Sequence, residues 1–176
     1  MKKQSFFIGV SLWALSLSAV YAHDGQVNVT GTITAASCNV EPDSKNQSVY
    51  IGEFSASSFA AVGDTSTPAK FDIKMNGCNN SIHGATIKFS GDADSNNSSL
   101  LALTGARAGG NVATGVAVEV LDANSNPLSI NTVSSGLYAL TTGENTLTFY
   151  LRYKSTLPTL TAGNAAAIMY FDLQYQ

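Results

Sequence analysis

Apolar and polar residues alternate along most of this chain, and that alternation is what most restricts its fold. Val116, Val118 and Val120 fall on one side with Glu119 on the other. Phe71, Ile73 and Met75 alternate with Asp72, Lys74 and Asn76, and Ile87 and Phe89 with Thr86 and Lys88. Leu147, Phe149, Leu151 and Tyr153 are separated by Thr148, Tyr150 and Arg152. Near the start, Val27, Val29 and Ile33 alternate with Asn28, Thr30 and Thr34; at the end, Met169, Phe171, Leu173 and Tyr175 enclose Asp172 and Gln174. A period of two places every second side chain on the same face of an extended backbone, the pattern of a half-buried strand. Turn formers punctuate these runs: Asp92–Asn97 reads as a polar loop, and Asp122–Pro127 as a hairpin turn. Residues 98–104, with Leu100, Leu101 and Leu103, read as a short helical turn or an irregular crossover, and nothing else reads as helical. About seven or eight short strands in a chain this long predict an all-β fold, an antiparallel sandwich of immunoglobulin type.

The first 22 residues stand apart from this pattern. Lys2 and Lys3 precede an apolar run of 15 residues, Phe6 to Val20, and Val20-Tyr21-Ala22 puts small residues where a signal peptidase reads. This is the form of a secretory signal peptide cut after Ala22, and the run falls short of the ~20 residues that span a bilayer. The exported chain would start at His23 and carry 7 basic and 12 acidic residues, a net charge of -5. Cys38 and Cys78 are the only cysteines. In an oxidising compartment the reading for two cysteines is one disulfide, with two free thiols as the alternative. A bridge would close a loop with 39 residues between its ends, worth on the order of 4 kcal/mol by loop entropy.

Composition removes several function classes. Charged residues make up 12% of the chain, about half the usual share. The few Lys and Arg are scattered, unlike the basic stripe of a nucleic-acid binder. His23 and His83 are far apart, so with two cysteines there is no multi-ligand metal set. No Gly-x-Ser-x-Gly elbow is present, and Gly105-Ala106-Arg107-Ala108-Gly109-Gly110 lacks the Lys-Ser/Thr of a phosphate loop. Asp92 and Asp94 sit in a polar loop without the ordered ligand spacing of a calcium site. No catalytic constellation, cofactor or small-molecule substrate is indicated.

The two ends carry the positive signal. The strand Val27–Thr34 begins a few residues after the cleavage site, and Gly31 interrupts its apolar face of Val27, Val29 and Ile33. A glycine there marks a bulge or a close backbone approach. At the other end, Tyr175 is penultimate and Gly163 is the fourteenth residue counted back from the terminus. With the leader, the cysteine spacing, Ser90-Gly91-Asp92-Ala93-Asp94 before Leu100-Leu101-Ala102-Leu103, and Thr161-Ala162-Gly163 leading into the last strand, the chain resembles the type 1 fimbrial subunits (pilins) of the chaperone–usher pathway. The resemblance covers the whole exported part.

That resemblance implies an immunoglobulin-like domain lacking its last strand, completed by a strand from another molecule. Residues 1–22 would be the signal peptide, 23–35 a donor-strand extension and 36–176 the pilin domain. Val27, Val29 and Ile33 would fill a neighbour's pockets, with Gly31 at a shallow one. Gly163, Met169, Phe171, Leu173 and Tyr175 would form the strand that meets the chaperone and lines the acceptor groove, and Leu147, Phe149 and Leu151 its opposite side. The partners implied are a periplasmic pilus chaperone, an outer-membrane usher and neighbouring pilin subunits. The route implied leads through the periplasm to a fimbrium on the cell surface, where the organelle supports adhesion. The alternative reading is a secreted lectin-like adhesive β-sandwich.

Overall fold

The structure, a computed structural model, describes residues 37–104 and 111–176. The expected signal peptide, the strand carrying Val27, Val29, Gly31 and Ile33, and the glycine-rich stretch 105–110 lie outside the described residues.

Among the described residues the alternating runs become strands: β1 (Asn39–Val40), β2 (Ala69–Cys78), β3 (Gly84–Ser90), β4 (Val116–Leu121), β5 (Pro127–Leu128), β6 (Tyr138–Ala139), β7 (Gly143–Ser155) and β8 (Tyr170–Tyr175). They form two antiparallel sheets, one in the order β1-β2-β7-β4-β5 and one in the order β6-β3-β8. The register follows the hydrophobic pattern. Phe71 lies opposite Phe149 and Ile73 opposite Leu147 in the larger sheet, while Phe89 lies opposite Phe171 and Ile87 opposite Leu173 in the smaller. These inward rows meet between the sheets, where Phe89 packs edge-on against Phe149 at 5.0 Å and against Phe71 at 6.1 Å. Ile73, Phe149 and Val120 have no exposed surface. Each fully buried side chain of this size contributes about 1.5–3 kcal/mol from removal of apolar area from water.

The connections follow their own chemistry. At the β4–β5 turn, Asp122 Oδ1 accepts from the backbone N–H groups of Asn124 and Asn126, both at 2.8 Å, and Ser125 takes a left-handed φ of 65°. A carboxylate reaching its own chain two residues on replaces the backbone bonds a tight turn leaves unmade. Residues 98–104 form an irregular crossover: Leu100 N donates to Asn97 O, and Leu101 and Val118 exchange backbone bonds at 2.9 Å each. The Cys38–Cys78 disulfide is formed and joins the start of β1 to the end of β2.

Three features depart from the sequence reading or lie outside it. A four-residue helix, α1 (Pro42–Lys45), follows β1. The last strand begins at Tyr170 rather than upstream, because 161–166 is engaged elsewhere: Thr161 bonds Thr114, Asn164 bonds Asn111 and Ala113, and Ala166 O accepts from Thr104 N. Glu119, on the face opposite the three valines of a strand read as half-buried, is only 2% exposed. Arg152 and Lys154 enclose its carboxylate at 2.6 and 2.7 Å, which supplies the counter-charge such burial requires.

Candidate functional site

The strand β8 is paired along one edge. Gly84 and Gln176 exchange both backbone bonds, at 3.2 and 2.8 Å. In an antiparallel ladder such pairs alternate with non-bonded ones. The N–H and C=O groups of Tyr170, Asp172 and Gln174 therefore turn toward β3, and those of Phe171, Leu173 and Tyr175 toward the opposite edge. Among the described residues no strand covers that edge. The side chains of Phe171, Leu173 and Tyr175 are half-buried, pointing inward, while Tyr170, Asp172 and Gln174 are exposed.

Beside this edge runs a cleft of about 770 Å³. One wall is the stretch from Ala165 to Leu173; the other is the end of α1 with Val49 and Ile51. Phe71, Leu101, Val118 and Leu151 reach it from beneath. Two tyrosines cross from one sheet's side to the other. Tyr175 Oη donates to Cys38 O at 3.3 Å, and Tyr153 Oη, from β7, donates to Ala165 O at 2.8 Å. Burial pushes the pKa of both hydroxyls above the ordinary phenol value.

Of the expected site residues, Met169, Phe171, Leu173 and Tyr175 line the cleft together. Gly163 does not line it: it is exposed and packs against residues 111–113, where an added Cβ would come within 2.5 Å of Asn111 O and 2.6 Å of Ala113 N. Of Leu147, Phe149 and Leu151, Leu151 lines the cleft; Leu147 and Phe149 belong to the interior between the sheets, at 7% and 0% exposure. The wall opposite β8 is built instead from residues 44–51, which the sequence reading missed. Val49 and Ile51 carried the only signal, two apolar residues at a spacing of two in a short polar stretch.

An unpaired strand edge above an apolar floor offers main-chain hydrogen bonds and side-chain pockets together. That combination takes an extended polypeptide by strand addition. Among the described residues no group of three or more His, Cys, Asp or Glu side chains is placed to hold a metal ion.

A two-sheet sandwich of this topology is the immunoglobulin-like fold of pilus subunits. It superposes with a TM-score of 0.64 on a solved chaperone–usher pilus structure, at 26% identity, covering 91% of this chain and 100% of the other. The family model for fimbrial proteins matches residues 27–176, and the chain belongs to that family as a structural pilus subunit. It is 41% identical to the fimbrial-like protein YcbU of Escherichia coli K12 over the full length of both chains. It is 36% identical to the type-1 fimbrial protein A chain of Salmonella typhi, over 97% of this chain and 92% of that one.

Proposed function

We propose that this subunit polymerises by donor-strand exchange, and that the observation carrying the reading is the unpaired edge of β8 beside the apolar cleft. Residues 1–22 direct export, 23–35 are the donated strand and 36–176 the accepting domain. A periplasmic chaperone first lends a strand to the cleft, covering an edge that would otherwise invite aggregation. At the outer-membrane usher the extension of the next subunit replaces it, Val27, Val29 and Ile33 entering the cleft with Gly31 at its shallowest point. Met169, Phe171, Leu173 and Tyr175 form the accepting side, and Leu151 the floor. The protein works as a structural element and performs no catalysis.

The energetics suit a lasting joint. Three buried Val or Ile side chains contribute about 1.5–3 kcal/mol each, and each backbone bond about 1 kcal/mol net. Ordering the free extension costs about 1–2 kcal/mol per residue, so persistence rests on a slow release rather than on a large equilibrium affinity. Each subunit donates from one end and accepts at the other. Such a head-to-tail contact does not close on itself and generates a filament.

Moving residues 23–35 to the C-terminus behind a flexible linker tests this. The rearranged chain should fold as a soluble monomer without a chaperone and melt about 15 °C or more above the exported chain. An unchanged or lower melting point would mean that the domain needs no added strand, and the reading would fall.

A further inference from the structure

Two tyrosines line the cleft, one near the end of β7 and one at the end of β8, and each donates its hydroxyl to a backbone carbonyl; the two places are held differently. At one, Tyr175 reaches Cys38 O, whose residue is fixed by the disulfide to Cys78. At the other, Tyr153 reaches Ala165 O, and no covalent link lies nearby. The backbone of Tyr153 is held in β7 opposite Val118 and by bonds with Ser66; its ring meets Phe54 edge-on at 6.0 Å, and Phe54 in turn meets the buried Phe59 at 6.5 Å. Ala165 begins the wall that continues through Met169 into β8. The residues on either side of Ala165 are held by backbone bonds, Asn164 to Asn111 and Ala113, and Ala166 O to Thr104 N; the Tyr153 hydroxyl adds a tie from β7 at Ala165 itself, five residues before regular pairing to β3 begins at Tyr170.

We infer that Tyr153 is a positioning residue for the accepted strand: by tethering Ala165 it fixes the end of the cleft, and so sets how far an incoming strand extends along it. The inference rests on the strand-accepting reading above. Without the hydroxyl, the wall from Ala165 to Met169 keeps its apolar contacts and the backbone bonds of Asn164 and Ala166, but loses its tie to β7. The terminal residues of an accepted strand then lose a fixed surface on one side. The central contacts to Phe171 and Leu173, held by the β3 ladder, stay as they are. The effect is therefore local to one end of the donor.

The test is the release of labelled peptides from the full exported chain. The probes are a peptide of residues 23–35 and two versions shortened by two residues, one from each end. With the unaltered chain, one of the two truncations should speed release about tenfold by removing contacts at the Tyr153 end. With Tyr153→Phe, the full peptide should itself be released about tenfold faster, that truncation should have little further effect, and the opposite truncation should act as before. Phe54→Leu, which loosens the ring and leaves the hydroxyl, should give the same end-selective pattern more weakly. If Tyr153→Phe speeds release of all three peptides by one common factor, or leaves all three unchanged, the positioning role is overturned. If no peptide binds the unaltered chain, the failure belongs to the strand-accepting reading.

Discussion

β7 and β8 look alike in sequence and live differently in the fold. Both alternate large apolar and polar residues, Leu147-Phe149-Leu151 in one and Phe171-Leu173-Tyr175 in the other. β7 is paired on both edges, by β2 and β4, and its inward side chains are buried. β8 is paired on one edge, and its inward side chains are half-exposed to the cleft. Alternation records which face of a strand meets the interior. It carries no record of how many neighbours the strand has, and in the function proposed above that missing neighbour is what matters.

The largest expected effect separates the two strands directly. Phe149→Ala empties a site with no exposed surface and should cost about 3–5 kcal/mol, whether or not the cleft is filled. Phe171→Ala, at a half-buried position, should cost about 1–2 kcal/mol in the unfilled chain and markedly more once a strand is bound. Urea unfolding with and without the peptide of residues 23–35 measures both. Equal sensitivity of the two variants to peptide would erase the contrast.

Removing the disulfide by Cys38→Ser with Cys78→Ser should cost about 4 kcal/mol, read as a drop in melting temperature of the exported chain. It also frees the backbone that Tyr175 grips, so it should loosen the open side more than the closed one. Gly163→Ala comes next, at about 1–3 kcal/mol, because the new methyl group meets backbone rather than a side chain that could move aside. The loss should be seen with and without bound peptide, since Gly163 does not itself line the cleft.

A smaller effect distinguishes the two cleft tyrosines from the exposed ones by pH. Burial raises the pKa of Tyr153 and Tyr175 above the value of about 10 they have in the unfolded chain. Their contribution is therefore complete below about pH 10 and is lost as the pH climbs through the folded-state values. The melting temperature should hold up to about pH 9.5 and fall beyond it, and the fall should shrink in Tyr153→Phe and in Tyr175→Phe.

Much of the architecture was legible in the sequence, since each long strand announces itself by its period. The Asp122 turn was legible because its chemistry is local. So were the inward residues of β8, because they alternate. The far wall of the cleft was not: α1 is four residues long, and residues 46–48 are polar. The late start of β8 was hidden because residues 161–166 are held largely through their backbone groups, which leave no mark on side-chain pattern. Phe149 and Leu147 were expected at the cleft from the family resemblance, but cross-strand neighbours settle which inward residues sit deep and which border an opening. The burial of Glu119 was not legible for a related reason, its counter-charges coming from the neighbouring strand β7.

The one-sided ladder of β8 also has a consequence in time. An amide bonded to β3 is released to solvent only when that pairing opens, whereas an amide turned to the bare edge meets water continually. Along six consecutive residues, deuterium should therefore enter in an alternating rhythm: quickly at Phe171, Leu173 and Tyr175, slowly at Tyr170, Asp172 and Gln174. A bound strand should silence the fast positions and leave the slow ones nearly as they were. Under the proposed strand exchange, each odd-numbered amide of β8 would report whether the subunit has met its partner.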